Sequence, residues 1–196
     1  MKLEKHNFFK VDHTKVQPAE GRVLVSDPSL SDFYFSRSII LLTEHNEKGS
    51  VGFVLNKPVH ASLSELLDGF PNFHARISVG GPVSPNSVHY IHTLGELVSG
   101  SKHLFEDLFW GGDFDELKIL IRDGRVQPNQ VKFFFGYSGW TGDQLMSEMS
   151  TDSWVVTTLD STTVMELGHD LWKTVVEGLG EDFKVWLNYP ENPNMN

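Results

Sequence analysis

The segment Val131-Lys132-Phe133-Phe134-Phe135-Gly136-Tyr137-Ser138-Gly139-Trp140-Thr141-Gly142-Asp143-Gln144-Leu145 carries the clearest structural signal in this chain. Its first five residues are mostly apolar and are typical of a core strand. Three glycines then recur at every third position, and because glycine lacks a Cβ, they predict a tightly turning segment from Gly136 to Gly142. Thr141-x-x-Gln144 fits a capping box, so we predict a helix that starts near Gly142.

Two functional interpretations of this segment compete with a structural one. Free backbone N–H groups near Gly142 could hold a phosphate or carboxylate, although Asp143 would repel an anion and no lysine follows as in a Walker loop. Ser138 could be a nucleophile on a strand-to-helix turn, although that motif requires glycine where Trp140 stands. We favour the structural interpretation, in which the glycines allow tight turning while Tyr137 and Trp140 fill a core or a pocket wall.

The rest of the chain predicts irregularly interleaved strands and helices. The apolar run 38–43 and the alternating run 50–56 predict a β-hairpin around a turn at 44–49. Interleaving without regular βα alternation is typical of the α+β class. The other predicted elements are strands at 77–79, 87–93 and 154–158 and helices at 62–68, 113–122 and 163–178.

The composition is that of one ordinary globular domain. The chain has 196 residues, of which 39% are hydrophobic and 21% are charged, which is sufficient for one well-cored domain. We predict a flexible arm at 1–20, a single domain at 21–188 and a tail at 189–196. Cysteine is absent, which excludes disulfides and thiolate chemistry and fits a reducing cytosol. No apolar run has the length of a signal-peptide core or a membrane span, so we expect a cytoplasmic protein with no membrane partner.

Charge and histidine spacing limit the classes of partner. The net charge of −10 opposes binding to nucleic-acid phosphates, and only the first 22 residues lean basic. His89 and His92 are closest in sequence, but strand residues three apart point to opposite faces, so we expect no shared metal ion. We expect no cofactor. The expected partner is an unidentified small molecule or protein, and the oligomeric state stays open.

Polar residues at the ends of predicted strands are the candidates for ligand binding, because connecting loops often carry function. Arg37 precedes the first hairpin strand, His45 lies in the predicted turn, and Asn56-Lys57 ends the second strand. Each has a structural interpretation too, such as an ion pair for Arg37 or a tight corner for the glycine pair at 80–81. We expect the candidates to meet on one surface. They are Arg37, His45, Asn56, Lys57, Gly81, Tyr137, Gly139, Trp140 and Gln144.

Five short blocks between positions 21 and 160 form a specific signature when they are taken in order. They are Asp27-Pro28 with Phe35-x-Arg37-Ser38, Leu41-Leu42-x-Glu44-His45-Asn46, Gly52-x-Val54-Leu55-Asn56-Lys57-Pro58, Gly80-Gly81-Pro82-Val83, and Gly136-Tyr137-x-Gly139-Trp140-x-x-x-Gln144-Leu145. At these residues the chain resembles the AlgH (YqgE) family of bacterial proteins. The resemblance implies a cytosolic α+β domain whose strongly bent, mixed β-sheet forms a partly open pseudo-barrel with flanking helices.

The resemblance implies no biochemical activity. The family takes its name from a proposed role in regulating the transcription of alginate genes. The family commonly has alanine at the position of Ser138, which argues against a catalytic serine. We predict a non-enzymatic binding or regulatory protein with an unknown ligand, and we expect any effect on transcription to be indirect. The alternative is an enzyme that acts on a small anionic substrate at the segment 136–144. Direct DNA binding is a third hypothesis, disfavoured by the lack of a basic stripe or a helix-turn-helix pattern.

Overall fold

The structure, a computed structural model, describes residues 16–166 and 170–190. Its nine strands are β1 (Val23–Ser26), β2 (Ile39–Asn46), β3 (Gly49–Val54), β4 (Arg76–Val79), β5 (Val83–His92), β6 (Lys102–Phe105), β7 (Leu108–Trp110), β8 (Val131–Thr141) and β9 (Trp154–Thr157). Its α-helices are α1 (Leu63–Leu66), α2 (Phe114–Arg122), α3 (Gln144–Ser150), α4 (Ser161–Met165), α5 (Leu171–Gly178) and α6 (Lys184–Leu187). Within this described part of the chain, no helix is long and apolar enough to cross a bilayer.

One mixed sheet organises the molecule, in the strand order β6-β7-β5-β8-β3-β2-β1-β9. Neighbouring strands in this order are antiparallel. The remaining strand, β4, runs parallel to the first half of β8, beside which β5 pairs on the other edge. The second half of β8 pairs with β3 instead. The predicted α+β class and mixed sheet are therefore confirmed, with β8 as the central strand.

The sheet bends until its two outer strands approach each other without pairing. The backbone N–H of Ser161, just beyond β9, donates to the carboxylate of Glu106, just beyond β6, at 2.9 Å. The ammonium of Lys102 on β6 donates to the carbonyl oxygen of Thr43 on β2 at 3.0 Å. Because these ties are made by side chains and not by a backbone ladder, the sheet stays a partly open pseudo-barrel, as the sequence predicts.

Helices cover both faces of the sheet. Helices α4, α5 and α6 cover one face, where the buried cluster includes Phe53, Phe134 and Trp172. On the other face, α1 and α2 pack over one half of the sheet, while α3 and the loop before β2 pack over the other half. Burial of these apolar faces is the main favourable contribution to folding, and it fixes the ends of the strands where loops can form sites.

The hairpin and the second helix match their predicted positions. Strands β2 and β3 pair as predicted, but their turn is tighter, so His45 lies on β2 and not in the turn. Asp113 caps α2 by accepting hydrogen bonds from the backbone N–H groups of residues 115 and 116, each at 2.9 Å. Gly124 then follows the helix in the left-handed conformation that favours glycine (φ +69°).

The glycine-rich segment is a strand and not the predicted turn. Strand β8 continues from Val131 to Thr141, and Gly136 (φ +68°) lies at a bulge where the pairing with β5 shifts register between Val83 and Val88. The bulge shifts the alternation of side chains, so Phe134 and Tyr137 pack against the same cluster although they are three residues apart. A Cβ on Gly142 would collide with the backbone carbonyl of Glu47. The glycines therefore serve a bulge and close backbone approaches.

Three further boundaries differ from prediction or lie outside the described residues. Helix α3 starts at Gln144 and not near Gly142, and only half of the predicted capping box forms, with the Thr141 N–H 3.3 Å from the Gln144 side-chain oxygen. The predicted helix 163–178 corresponds to α4 and α5, and α4 ends at Met165; the next residue, Glu166, has an extended backbone (φ −68°, ψ 153°). Residues 1–15 of the predicted arm and 191–196 of the predicted tail are outside the described ranges, so those boundaries stay predictions.

Candidate functional site

An open cavity of about 490 Å³ lies beside the ends of the hairpin opposite its turn. We call it the Lys57 cavity; it is lined by Phe33, Ser36, Arg37, Asn56, Lys57, Pro58 and Val79. Three of the nine predicted site residues therefore lie together here: Arg37, Asn56 and Lys57. The volume is within the range of small-molecule sites, about 300–1,000 Å³.

Asn56 holds the backbone on which this cavity is built. Its side-chain oxygen accepts a hydrogen bond from the N–H of Ile39 at 2.9 Å, and its amide nitrogen donates to the carbonyl of Arg37 at 2.8 Å. Arg37 itself has φ +48°, a left-handed conformation that costs free energy in a residue with a side chain. Asn56 is only 7% exposed, so its amide stabilises the strained loop, which is a structural role within the candidate site.

Two positively charged side chains reach the cavity from held positions. The Arg37 guanidinium lies 5.0 Å from the centre of the Trp172 ring and donates to the carbonyl of Tyr189 at 2.5 Å. The Lys57 ammonium donates to the carbonyl of Ser36 at 2.7 Å. Burial lowers the pKa of Lys57, and the carboxylate of Asp32 opposes this shift. Both cations are therefore positioned before any ligand enters.

His45 lies at the opposite end of the hairpin from the Lys57 cavity. Its Nδ1 is hydrogen-bonded to the hydroxyl of Ser50 at 2.8 Å, and Ser50 is opposite Trp140 in the sheet. The part of strand β3 from Ser50 to Val54 corresponds to about 13 Å, before the chain bends at residues 55 and 56. The prediction that all nine candidates share one surface is therefore not met.

The Trp140 indole belongs to the packing beneath α3. One carboxylate oxygen of Glu148 accepts hydrogen bonds from the indole N–H groups of Trp140 and Trp154, at 2.9 and 2.7 Å. The amide of Gln144, one helical turn earlier, donates to the other carboxylate oxygen at 3.0 Å. The most recognisable motif of the sequence thus stabilises the join between β8 and α3. Glu148 was missed from the sequence, although its i,i+4 spacing from Gln144 is a usable signal.

The remaining residues of interest lie on β8 or in contact with it. Ser138 is fully buried and donates to the carbonyl of Gly80 at 3.1 Å, inside a continuous strand. That placement argues against a nucleophile at a strand-to-helix turn. A Cβ on Gly81 would collide with the backbone of Tyr137, so Gly81 allows the connection between β4 and β5 to approach β8 closely. Gly139 is on β8 opposite Val51, on the half of the strand that pairs with β3.

The start of α3 offers little support for an anion site. The helix has seven residues, and its first side chain, Gln144, is already hydrogen-bonded to Thr141 and Glu148. Among residues 16–166 and 170–190, no group of three or more histidine or acidic side chains is arranged to hold a metal ion. His89 and His92 have separate surroundings, since His89 packs against Phe53 and Tyr137 while His92 is hydrogen-bonded to Ser101.

Sequence reasoning missed the apolar rim of the Lys57 cavity. Phe33 is 72% exposed, and its ring packs edge-on against that of Tyr34 at a centroid distance of 5.2 Å. Pro58 and Val79 complete the apolar part, and an isolated bridge between Pro58 and Ser78 places them side by side. Two contiguous segments, 33–37 and 56–58, thus supply nearly all of the lining.

The protein is an α+β domain built on one bent sheet. Comparison with known proteins gives its family. The sequence model of the AlgH-like family matches residues 23–184. A UPF0301 protein of Parabacteroides distasonis is 42% identical over 193 residues, covering 97% of this chain and 98% of that protein. Another, from Chlorobium limicola, is 37% identical over 185 residues, covering 93% of this chain and 97% of that protein. The chain belongs to the AlgH-like family, as the resemblance predicts.

Solved structures have the same fold. The solution structure of the AlgH protein from Pseudomonas aeruginosa aligns with a TM-score of 0.69 and 25% identity, covering 89% of this chain and 96% of that one. A crystal structure of a protein from Corynebacterium diphtheriae aligns with a TM-score of 0.71 and 23% identity, covering 88% of this chain and 93% of that one. These structural similarities establish the fold, and they assign no reaction or ligand.

Proposed function

We propose that this protein is a non-enzymatic binding protein whose ligand, a small organic anion, occupies the Lys57 cavity. The observation that carries the proposal is that two cationic residues, Arg37 and Lys57, line one cavity of a chain whose net charge is −10. Charge-assisted hydrogen bonds to carboxylate or phosphate oxygens are stronger than neutral ones. A cationic cavity on an acidic protein therefore selects anions against its surroundings.

The shape of the cavity specifies the ligand further. Lys57 is half-buried, and the loss of water that lowers its pKa is offset when an anion approaches the ammonium. Phe33, Pro58 and Val79 supply an apolar wall beside the charges. A carboxylate or phosphate ester attached to a ring or alkyl group satisfies both parts. Because Ser36 and Trp172 already hold the two cations, little side-chain entropy is lost on binding.

We further infer that the protein acts in the cytosol and that any effect on transcription is indirect. The acidic chain favours a small-molecule or protein partner over DNA. Arg37 contacts both the cavity and Trp172 of α5, so a ligand that attracts the guanidinium alters the surroundings of that helix. Such a link between a bound ligand and the helical layer is the kind of change that a partner protein can read.

Thermal unfolding with matched ligands tests the proposal. Phenyl phosphate and benzoate are the anions, and benzyl alcohol is their uncharged counterpart. At ten times its Kd, a bound anion is expected to raise Tm by about 3–5 °C, whereas benzyl alcohol leaves Tm unchanged. The Lys57→Met variant should lose the shift. The control Lys48→Met, which removes an exposed lysine from the hairpin turn, should keep it.

Two results would overturn the proposal. One is an unchanged Tm with both anions, and the other is an equal shift in Lys57→Met. Phosphorus NMR of the phenyl phosphate sample separates the enzymatic alternative, because release of inorganic phosphate would show turnover and contradict a purely binding role.

A further inference from the structure

A second cavity, of about 280 Å³, lies between α4 and the segments that follow β5 and β6. We call it the Ser161 cavity; its lining includes Arg76, Thr93, Asp107, Asn129, Ser161 and Glu166. All six side chains are polar or charged, and none of these residues lines the Lys57 cavity. The volume is just below that of typical small-molecule sites, about 300–1,000 Å³. The cavity therefore suits a small, hydrophilic ligand.

Two cations of the central sheet fix the wall of this cavity at the end of α4. Arg76 on β4 is opposite Lys132 on β8. The ammonium of Lys132 donates to the carbonyls of Val164 and Glu166, each at 2.9 Å. The guanidinium of Arg76 donates to the carbonyl between them, that of Met165. Three consecutive carbonyls are thus held by side chains of the sheet, so the wall is in place before a ligand enters.

Arg76 keeps donors that no protein group uses. The residue is partly buried, and its contact with Met165 occupies one nitrogen of a guanidinium that has five N–H donors. Within the described part of the chain it forms no ion pair, although Asp107 and Glu166 line the same cavity. A guanidinium binds a carboxylate through two parallel hydrogen bonds. Arg76 is therefore a position where the carboxylate of a ligand can bind.

A carboxylate lies at the opposite end of α4. Glu106 accepts a hydrogen bond from the N–H of Ser161 at 2.9 Å, which places the turn between β6 and β7 against the start of the helix. Asp107, the next residue of that turn, lines the cavity and has no hydrogen-bonding or ionic partner among the described residues. Helix α4 rises about 6 Å from Ser161 to Met165. Groups of opposite charge therefore line the cavity about one helical turn apart.

Ser161 adds a hydroxyl that is mostly buried and has no partner. The residue is 7% exposed, and among the described residues nothing is hydrogen-bonded to its hydroxyl. The hydroxyls of Ser38 and Tyr90 are also unpaired but are sealed from water, whereas that of Ser161 is not sealed. Because Ser161 lines the cavity, its hydroxyl is available to a ligand there. Buried polar groups without partners are rare, and each requires an explanation.

We propose that the Ser161 cavity binds a small, polar α-amino acid as a zwitterion, with its carboxylate on Arg76, its ammonium on Asp107 and its polar side chain near the Ser161 hydroxyl. The two charged groups of an α-amino acid are attached to one carbon atom. With a charge-assisted hydrogen bond of about 2.8 Å at each end, they span the separation between the two ends of α4.

The charges of the lining favour a zwitterion over a simple anion. Arg76 attracts the carboxylate of either ligand, but Glu166 at the same end of α4 opposes an added negative charge. An ammonium on the same ligand offsets that opposition and pairs with Asp107. The site shares no lining residue with the Lys57 cavity, and the inference does not depend on the function proposed there.

L-serine and two analogues that each lack one of its charges test this inference. Glycerate has a hydroxyl in place of the ammonium, and ethanolamine lacks the carboxylate. Each is titrated into the full-length, ¹⁵N-labelled protein, and the backbone amides of the lining residues Thr93, Ser161 and Thr162 are followed by NMR. We expect L-serine to shift these resonances and to bind about ten-fold more tightly than either analogue, since each analogue loses a charge-assisted hydrogen bond. Lys57→Met should bind L-serine as the native protein does.

Asp107→Asn is the decisive variant, because it removes the charge, nearly keeps the shape and takes no partner from any described residue. We expect an unchanged Tm, about ten-fold weaker binding of L-serine and unchanged binding of glycerate. Asp68→Asn, which removes an exposed carboxylate after α1, should keep the native affinity. The inference is overturned if L-serine shifts none of the three amides, if either analogue binds as tightly as L-serine, or if Asp107→Asn keeps the native affinity for L-serine.

Discussion

At the scale of single residues, Asn56 lines the candidate site and also stabilises the backbone around it. Its amide satisfies the backbone of Ile39 and of Arg37, which lie on either side of the entry to β2. We expect Asn56→Ala to lower the free energy of unfolding by about 2–3 kcal/mol, because two backbone groups lose their partners and the strained Arg37 loses its support. Urea denaturation measures this change.

Asn129→Ala is the matched control, since Asn129 is exposed and its loss should change stability by no more than about 0.5 kcal/mol. If the two variants have the same stability, the amide of Asn56 does not hold the loop.

Lys132 is a second residue whose environment leads to a testable prediction, about how stability depends on pH. It is fully buried on β8, and its ammonium donates to the carbonyls of Val164 and Glu166 at the end of α4, each at 2.9 Å. Burial, with the nearby charge of Arg76, lowers its pKa to about 7. In the unfolded chain the pKa is about 10.4, so between pH 7 and pH 10 the unfolded state binds more protons. Stability therefore rises with pH in this window and falls as pH drops towards 7.

The change is measured against Lys132→Met, which cannot titrate at this position. From pH 7 to pH 9, the native protein should gain about 2 kcal/mol relative to the variant. Urea denaturation at both pH values gives the difference, and parallel stabilities would mean that Lys132 keeps an ordinary pKa.

At the scale of elements, the bulge in β8 depends on one glycine. A Cβ on Gly136 would lie 2.7 Å from the carbonyl oxygen of Gly81 and 2.9 Å from that of Val83. We expect Gly136→Ala to cost about 3 kcal/mol or more, since strain at positive φ adds to a clash with backbone that cannot move aside. Gly124→Ala is the control, because Gly124 has nearly the same φ and its added Cβ would meet nothing within 4 Å. The control should cost only about 1 kcal/mol in the same denaturation experiment.

Local patterns account for the elements that were predicted correctly. Alternation along residues 50–56 and the cap of Asp113 are signals that neighbouring residues contain. The continuity of β8 beyond Gly136 rests instead on pairing with β3, about 90 residues earlier in the chain, and no local pattern reports that pairing. The glycine spacing on its own therefore predicts a turn, whereas the glycines are needed because neighbouring backbone lies close to them.

The hairpin geometry alone predicts which of the candidate residues lie together. In an antiparallel hairpin the start of the first strand lies beside the end of the second, which brings Arg37 to Asn56 and Lys57. The same geometry places His45 at the far end, so its separation from the other three was deducible from the sequence. The apolar wall from Phe33 and Val79 was not deducible, because it depends on how the loop before β2 packs and on β4.

At the scale of the whole molecule, the net charge of −10 predicts weak binding to nucleic acids. Binding to duplex DNA draws its non-specific affinity from cations that replace counterions, and this term is largest at low salt. We expect no gel shift with duplex DNA in 50 mM salt at micromolar protein. A retarded band that disappears at higher salt would reveal a basic surface and would contradict indirect action on transcription.

The side-chain contacts between the outer strands affect where the sheet can open locally. A continuous ladder would make every strand open with its neighbours, but here the contacts across the gap include Glu106 to the chain after β9, Lys102 to β2 and Lys102 to Glu20 before β1. Breaking these side-chain contacts would leave the strand pairing around β8 intact, since that pairing is made by the backbone. We therefore expect the gap between the outer strands to open locally at a lower free-energy cost than the paired strands around β8.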